Sequence, residues 1–252
     1  MSRIIASIEA RMSSSRLPGK VLADIGGQPA LTRLLRRLRQ AQSLNGIILA
    51  TSTNPADDPL EQWGAEQNLP VYRGSEEDVL ARVVGAQRQM NSDIVVEITG
   101  DSILLDPEII DWGVTTFLEN ECDVVANVKK LSFPMGIDVQ VYRLSDLEEI
   151  SKTITDSAVR EHVSLYFYEH PERYRIFHLF APSPWHAPDY RFQLDYPEDL
   201  HFIREIYRLL EPQYGDRFGV GKIISLLHKN PSLLDINRQC IEKPAREREK
   251  ST

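Results

Sequence analysis

Cysteine is scarce in this sequence. Its 252 residues include only two cysteines, Cys122 and Cys240, which lie far apart and form no CxxC pair. A disulfide framework is therefore not expected, and a reducing compartment such as the cytoplasm fits better. Long hydrophobic runs are also missing, because no apolar stretch approaches the roughly 20 residues needed to span a bilayer. The short apolar run within residues 1–12 is interrupted by Glu9, so we expect a first β-strand there rather than a signal peptide.

Excess positive charge is lacking as well. Twenty-nine Lys and Arg residues stand against 37 Asp and Glu residues, which gives a net charge of −8. Nucleic-acid binding depends on neutralising phosphates with Lys and Arg, so nucleic acid is not an expected partner. A small local basic pocket is still compatible with this balance. The composition, 42% hydrophobic and 26% charged, is that of an ordinary globular protein.

The order of predicted elements indicates an α/β domain. Short apolar strands alternate with amphipathic helical patterns through the first half of the chain. After residue 128 the pattern changes, with a half-buried strand predicted around 137–141, a helix over 156–168 and a strand over 190–194. We therefore treat residues 1–242 as a single domain, with 129–190 as an insertion that serves acceptor binding or dimerisation. Residues 243–252 contain almost no apolar side chains, which predicts a disordered tail.

A cluster of cations and hydroxyls follows the first predicted strand. Within a dozen residues the chain places Arg11, Arg16 and Lys20 together with Ser13, Ser14 and Ser15. A triphosphate needs positive charge and hydrogen-bond donors, and the carboxyl end of a strand is where such ligands bind in α/β sheets. The cluster is neither a GxGxxG nor a Walker loop. On composition alone, a solvated polar loop explains this stretch equally well.

The string ARMSSSRLPGK resembles the signature of the cytidylyltransferases that activate sugar acids. That group includes CMP-KDO and CMP-sialate synthetases and, most closely, the SpsF-type spore-coat polysaccharide biosynthesis family. Five further blocks resemble the family's blocks and follow in the same order: RGSEEDVLAR from Arg73, TGD from Thr99, FPMGIDV from Phe133, REHV from Arg160 and DYPEDL from Asp195. One block alone is a weak signal, whereas six in order over residues 9–200 are a specific one.

The resemblance implies a fold and an activity. The expected fold is Rossmann-like, of the nucleotide-diphospho-sugar transferase type, with a mixed, mostly parallel sheet and helices on both faces. The expected enzyme is a cytidylyltransferase that uses CTP and Mg²⁺ to activate an acidic sugar, giving a CMP-sugar and pyrophosphate for surface polysaccharide or glycan biosynthesis. The resemblance also implies a cytoplasmic homodimer that binds no membrane.

The same resemblance implies roles for individual residues. Arg11, Lys20, Asp101 and Asp195 are the expected catalytic residues, and the two aspartates are the expected magnesium ligands, because hard cations prefer carboxylate oxygens. The residues expected to contact the nucleotide are Ala10, Arg11, Ser13, Ser14, Arg16, Lys20, Arg73, Ser75, Asp78 and Arg82. Those expected to contact the acceptor sugar are Gly136, Asp138, Arg160, Glu161 and His162. Arg160 would pair with the sugar carboxylate, and Glu161 or His162 would position or deprotonate the attacking hydroxyl.

Structural roles remain open for several of these residues. A lone aspartate at a strand end, such as Asp101, is often a turn residue. Ser75 also fits a helix N-cap, and Asp78 with Arg82 fits an i,i+4 pair on a helix over 75–90. Asp199 is expected at a helix N-terminus, where the helix dipole stabilises its charge.

Three residues depart from the family pattern, and two other functions stay open. Glu9 stands where glutamine is usual, Ser13 where glycine is common and Ile103 where proline is usual. One alternative function is a glycosyltransferase of similar fold, although no Asp-x-Asp motif follows Asp101. The other is a nucleotide-binding homologue without turnover.

Overall fold

The computed structural model describes residues 2–246. Within them, seven strands form one sheet in the spatial order β3-β2-β1-β4-β6-β5-β7. The strands are β1 (Ile4–Glu9), β2 (Gly46–Ser52), β3 (Val71–Gly74), β4 (Ile94–Thr99), β5 (Val124–Ala126), β6 (Gln140–Arg143) and β7 (Ile176–His178). Only β6 runs against its neighbours β4 and β5, and the remaining pairs are parallel. The predicted mixed, mostly parallel sheet is confirmed.

Nine α-helices accompany the sheet in the described part of the chain. They are α1 (Ala30–Leu38), α2 (Asp58–Glu66), α3 (Val79–Gln89), α4 (Pro107–Glu119), α5 (Leu144–Thr153), α6 (Ser157–Glu161), α7 (Leu165–Glu169), α8 (Pro197–Tyr214) and α9 (Val220–Lys229). No helix among residues 2–246 is both long and apolar enough to cross a membrane.

The central strands are apolar on both faces because each face carries helices. In β1, Ile4 and Ile8 belong to a core shared with α1, α2, α4, α8 and α9. Ile5 points to the opposite face, into a second core shared with α3, α5, α6 and α7. This alternation follows from the two-residue period of a strand. It confirms the prediction of helices on both faces.

Residues 129–190 are partly built into the sheet. Strand β6 lies between β4 and β5, and β7 forms the edge beside β5. This segment therefore completes the sheet instead of only projecting from it. Its proposed part in acceptor binding or dimerisation stays a prediction.

Two predicted elements of the second half are wrong. The helix predicted over 156–168 is two short helices, α6 and α7, because His162 adopts an extended conformation (φ −113°, ψ 93°). The break lets the Ser164 hydroxyl donate to the buried side-chain oxygen of Gln140 at 2.7 Å. The strand predicted over 190–194 makes only one bridge, from Arg191 to Met135. The sequence analysis also missed α5, which follows β6 directly.

The end of the chain also differs from prediction where it is described. Residues 243–246 were expected in a disordered tail, but Arg246 binds Asp156 and Glu169, and Ala245 packs against the second core. Ion pairs and packing thus hold a stretch that composition alone assigned to solvent. Residues 247–252, which were part of the same prediction, lie outside the described residues.

Candidate active site

A cavity of about 700 Å³ opens where β1 and β4 end. Its walls include Glu9 and Thr99, the last residues of those two strands, and the loop after β1. The volume lies in the range of small-molecule sites, and the carboxyl edge of an open α/β sheet is where ligands usually bind. The cavity is therefore the candidate active site.

Lys20, Asp101 and Asp195 meet in this cavity. The Lys20 ammonium lies 2.9 Å from Asp101 Oδ2 and 2.8 Å from Asp195 Oδ1. The Arg16 guanidinium lies 2.6 Å from the same Asp195 oxygen. Residues 81 and 175 positions away from Lys20 in the chain thus converge on one ammonium group. The predicted convergence of the two aspartates is present.

The charges in this cluster stabilise one another. Burial opposes ionisation of Asp195, but the charge and hydrogen bonds of Lys20, followed by those of Arg16, hold the pKa of Asp195 below its usual range. Burial also disfavours the Lys20 ammonium, and the charges of Asp101 and Asp195 outweigh it and raise the pKa of Lys20. At neutral pH the cluster therefore contains a cation between carboxylates.

The loop after β1 carries Lys20 to this point. Gly19 has φ +71°, a conformation that favours glycine, and its N–H donates to Met12 O at 3.0 Å. The buried Asp57 carboxylate accepts from Met12 N at 2.7 Å and so holds the loop against the turn after β2. Sequence analysis did not identify Asp57 as a positioning residue. The polar turn TSTNPADDP gave no sign of which aspartate would be buried.

A close approach between two backbone segments explains the glycine of the TGD block. Gly100 N donates to Glu9 O at 2.8 Å, and a Cβ at Gly100 would lie 2.8 Å from that same oxygen. Only glycine allows β1 and β4 to end this close together. Asp101 follows at once, so its carboxylate enters the cavity. Its Oδ1 atom is buried and has no hydrogen-bond partner within residues 2–246.

A buried network holds Asp195. Arg191 donates to Asp195 Oδ2 at 3.0 Å and to both oxygens of Asp199 at 2.9 and 3.1 Å. Asp199 also accepts from the backbone N–H groups of Asp195 and Tyr196 at the start of α8. The predicted helix N-terminal position of Asp199 is confirmed. Sequence analysis missed Arg191, whose buried position could not be read from a segment predicted as a strand.

Two more cations of the N-terminal blocks, Arg11 and Arg82, also line the cavity. Arg11 lies 2.6 Å from Glu161. Arg82 is only 2% exposed, and it donates to Ser75 O at 2.6 Å while its Nε atom has no partner in the described chain. Burial lowers the pKa of Arg82. The structure thus brings Arg11 and Arg82 to the cavity together with Arg16 and Lys20.

The small residues of the first block lie in the same wall. Ala10, Ser13 and Ser14 all line the cavity. The Ser13 hydroxyl donates to Glu76 at 2.9 Å, and Ser14 Oγ accepts from Leu17 N at 3.4 Å. Their contact with the nucleotide stays a prediction.

Several predicted nucleotide residues are not brought to the cavity. Arg73 pairs with Asp58 at 2.8 Å and Glu61 at 2.7 Å, outside the cavity walls. Asp78 caps α3 by accepting from Ala81 N at 2.9 Å. The predicted cap is therefore shifted from Ser75 to Asp78, and Ser75 Oγ instead accepts from Asp78 N at 3.1 Å.

The alternative pairing of Asp78 with Arg82 is also wrong. Asp78 lies 3.4 Å from Arg160 instead. Arg82 turns away to the backbone carbonyls of Ser75 and Glu76.

The predicted acceptor residues divide into two groups. Asp138, Glu161 and His162 line the cavity. Arg160 does not, because its guanidinium donates to Ser151 O at 2.7 Å. Gly136 also lies outside the cavity walls. It has φ +88° and packs against the backbone of Gln193, which a Cβ would approach to 2.6 Å.

Further buried polar groups line the cavity, and the sequence analysis missed three of them: Glu97, Gln140 and Ser164. Glu97 accepts from Tyr142 Oη at 2.7 Å, and Ser164 lies between Glu97 and Gln140. Burial raises the pKa of Glu97 to about 7, although these hydrogen bonds oppose the shift. Burial, followed by the charge of Asp101, also raises the pKa of Asp138 to about 7. The only sequence signal was a single Glu inside an apolar strand.

Glu9, a departure from the family pattern, faces the same wall. Burial, followed by the charge of Glu97, raises the pKa of Glu9 well above its usual range. Its Oε1 atom is buried and lacks a partner in the described chain. The cavity thus contains one more carboxyl group than the family pattern, which has glutamine at this position, implies.

Comparison with known proteins places this site in a family. A family model described as cytidylyltransferase matches residues 5–217. The chain is 35% identical over 238 residues to spore coat polysaccharide biosynthesis protein SpsF of Bacillus subtilis strain 168, which covers 92% of this chain and 96% of that protein. It is 28% identical over 174 residues to 3-deoxy-manno-octulosonate cytidylyltransferase of Chloroherpeton thalassium, with 69% and 66% covered.

Solved structures agree with this match. A cytidylyltransferase from Leptospira borgpetersenii serovar Hardjo-bovis is similar with a TM-score of 0.87 and 28% identity, covering 93% of this chain and 97% of that one. A Mycobacterium tuberculosis H37Rv protein in complex with manganese has a TM-score of 0.57 at 16% identity, covering 81% and 99%, and supports the fold alone.

The match extends over most of the chain and includes every site segment up to α8. It confirms the resemblance drawn from the six blocks and the prediction of a CTP-dependent nucleotidyltransferase, in preference to a glycosyltransferase. The chain belongs to the cytidylyltransferase family.

Proposed function

We propose that this enzyme transfers a cytidylyl group from CTP to a hydroxyl of an acidic sugar and releases pyrophosphate. The observation that carries the proposal is the convergence of Lys20, Asp101 and Asp195 in one cavity beside a loop rich in cations and hydroxyls. The similarity to SpsF and to a 3-deoxy-manno-octulosonate cytidylyltransferase supports both the nucleotide and the acidic acceptor. Surface polysaccharide or glycan biosynthesis is the corresponding use.

The loop after β1 would bind the triphosphate. Arg11, Arg16 and Lys20 supply positive charge in the cavity, and the hydroxyls of Ser13 and Ser14 line the same wall. Charge-assisted hydrogen bonds to phosphate are about twice as strong as neutral ones. Binding and orienting the substrate are the main work of the protein in phosphoryl-type transfer, which needs little covalent chemistry from side chains.

The two aspartates fit a divalent cation. Asp101 Oδ1 is buried without a partner in residues 2–246, and a carboxylate oxygen in that situation is a suitable ligand for a hard cation. The described residues contain no cluster of three or more His, Cys, Asp or Glu side chains that could hold a metal alone. Asp101 and Asp195 would therefore hold Mg²⁺ jointly with the phosphates. When bound, the ion would offset negative charge on the phosphate oxygens.

The proposed reaction is a single in-line displacement. The sugar hydroxyl oxygen forms a bond to the α-phosphorus of CTP, the bond from that phosphorus to the bridging oxygen of pyrophosphate breaks, and Glu161 or His162 accepts the hydroxyl proton. Asp138, Glu161 and His162 line the cavity and would contact the acceptor. Lys20 and Arg11 stabilise the charge that develops on the phosphates, which is worth several kcal/mol in such sites.

A pyrophosphate-release screen tests the proposal. Four nucleoside triphosphates would be crossed with KDO, sialic, legionaminic and pseudaminic acids in the presence of Mg²⁺. We expect release with CTP and at least one acid. Binding of CTP and Mg²⁺ without release from any acid would favour a homologue without turnover, and release with a different triphosphate would correct the base.

Two variants make the screen specific for the carboxylate pair. Asp101→Asn is expected to cost several kcal/mol of transition-state stabilisation, or roughly a thousandfold in kcat. Asp235→Asn is the matched control, because Asp235 is an exposed aspartate whose ion pair with Arg238 lies away from the cavity. Undiminished pyrophosphate release by Asp101→Asn would refute the assigned role.

We also propose that the enzyme acts in the cytoplasm as a homodimer. Both cysteines are free, which suits a reducing compartment where CTP is available. Leu131 and Phe180 are more than half exposed, at 57% and 55%, and both lie within residues 129–190. Exposed apolar side chains of this size suit a contact with a second copy. Light scattering of the purified protein measures the oligomeric state directly.

A further inference from the structure

The last described residues form part of the cavity. Residues 241–246, here called the strap, come after α9 in the chain, and four of them line the cavity: Glu242, Lys243, Pro244 and Ala245. The strap lies beyond residues 5–217, the part of the chain that the family model matches. Neither the family match nor the six sequence blocks assign the strap a role.

Contacts at both ends hold the strap in place. Tyr196 Oη donates to Ile241 O at 3.2 Å. At the other end, the Arg246 guanidinium donates to both oxygens of Glu169, at 2.5 and 2.8 Å, and lies 3.1 Å from Asp156. Asp156 caps α6 by accepting from Val159 N. Arg246 thus ties the strap to the helix that carries Glu161 into the cavity.

An acidic acceptor needs a cation that is free to meet it. Arg11 is paired with Glu161, and Arg16 and Lys20 are paired with the aspartates. Arg160, the cation predicted for the sugar carboxylate, is bound to Ser151 outside the cavity walls. The acidic wall made by Glu97, Asp101 and Asp138 would repel a carboxylate.

Two exposed lysines meet this need. Three cations that line the cavity have no carboxylate partner within 4.0 Å among residues 2–246: Lys129, Lys243 and Arg82. Arg82 is buried against backbone carbonyls on the nucleotide side. Lys129, Lys243 and His162 line the same cavity. Burial lowers the pKa of His162, the charge of Glu161 opposes this, and the charges of Lys129 and Lys243 lower it further.

We propose that Lys243 of the strap, together with Lys129, binds the carboxylate of the acceptor sugar, and that Arg246 is a positioning residue that holds Lys243 at the cavity. The inference rests on the proposed function, since it names the residues that select an acidic acceptor. Lysine suits this role because its flexible stem can bring a compact charge to a ligand at an open rim. Both lysines are exposed, so the expected gain is modest, about tenfold in acceptor affinity.

Steady-state kinetics of four variants test the assignment. The acceptor is whichever of KDO, sialic, legionaminic or pseudaminic acid the wild-type enzyme turns over fastest. Lys243→Met is expected to raise the KM for that acid about tenfold and to leave the KM for CTP unchanged. Lys243→Arg keeps the positive charge, so its KM for the acid is expected to match that of the wild type. Arg246→Ala should raise the acceptor KM similarly. Arg238→Ala is the matched control, because its exposed ion pair with Asp235 lies outside the cavity walls.

The outcomes separate the two proposals. An unchanged acceptor KM in both Lys243→Met and Arg246→Ala overturns the strap assignment while leaving the proposed function intact. A raised KM in Lys243→Met alone supports the binding role and rejects the positioning role of Arg246. A raised acceptor KM in Lys243→Met that is equally raised in Lys243→Arg shows a structural effect and counts against a charge-based contact. A wild-type enzyme that uses none of the four acids rejects the proposed function and the strap assignment with it.

Discussion

The substitution Asp199→Asn tests whether one buried carboxylate both stabilises the fold and holds Asp195 in place. Asp199 is fully buried and accepts five hydrogen bonds, from Arg191 twice, from the backbone of Asp195 and Tyr196, and from Asn237. An asparagine keeps one acceptor oxygen, but it removes the charge that balances Arg191 and points an amide donor at other donors. Removing one partner of a buried ion pair costs about 3–5 kcal/mol.

That cost has two measurable consequences. A domain of this size loses about 2–4 °C of melting temperature per kcal/mol, so Asp199→Asn should melt roughly 6–20 °C below the wild type. Because Arg191 also donates to Asp195 Oδ2, the change should displace Asp195 as well. A displacement of about 1 Å at a reacting centre can cost about a hundredfold in rate, so kcat should fall even at temperatures where the variant is folded.

Thermal unfolding and pyrophosphate release measure the two effects. The control is again Asp235→Asn, whose exposed ion pair with Arg238 should contribute less than about 1 kcal/mol. An Asp199→Asn protein that melts within about 2 °C of the wild type would refute the stability argument. A destabilised variant with wild-type kcat at low temperature would show that Asp199 does not position Asp195.

Three further predictions concern single side chains. Arg73→Ala removes ion pairs with the exposed Asp58 and Glu61 and two hydrogen bonds to the carbonyls of Ser52 and Asn54, so it should cost about 1–3 kcal/mol in a urea titration. All of these contacts lie outside the cavity walls, so the KM for CTP should stay unchanged. Burial raises the pKa of Glu97 from 4.5 to about 7, so the folded state holds the Glu97 proton more tightly than the unfolded state and loses stability as pH rises through that interval. Glu97→Gln should therefore abolish a loss on the order of 3 kcal/mol between these pH values, seen as a flatter melting profile. Gly136→Ala forces a side chain into φ +88° and against Gln193 N, which should cost about 2 kcal/mol or more and reduce activity at the adjoining site.

The central strands were predictable because most of their residues are apolar. The sequences IIASIE and IVVEIT of β1 and β4 leave little choice other than strands buried on both faces. The start of helix α4 is also encoded locally, because Pro107 stands at its first turn and the side chain of Asp106 caps it. Local sequence decided these elements, since their patterns agree with their tertiary environment.

The second half was harder because long-range contacts decide it. The predicted helix is broken before Ser164, whose side chain hydrogen-bonds to Gln140 of β6. Arg191 belongs to a segment with strand-like alternation, yet its side chain is buried against Asp199. The partners lie 24 and 8 residues away in the chain, beyond what local propensity describes.

The residues that meet around Lys20 in the cavity were predictable only where they belonged to one of the six sequence blocks. The blocks located Lys20, Asp101 and Asp195, which the fold then brought together. Composition alone could not have paired them, because their chain separations are large. The blocks misplaced Arg73 and Arg160, since block position does not fix where a long side chain points. Both arginines instead bind groups on neighbouring elements.

Asp101 and Asp199 differ in how fully their carboxylate oxygens are hydrogen-bonded, and this difference separates their effects on stability and on activity. Every oxygen of Asp199 is hydrogen-bonded, so Asp199 contributes to stability and holds Asp195. Asp101, by contrast, leaves Oδ1 buried and without a partner in the described chain, an arrangement that costs stability by about 1–3 kcal/mol. A protein keeps such a cost where function requires it. Stability and activity should therefore fall together when Asp199 is changed, and separate when Asp101 is changed.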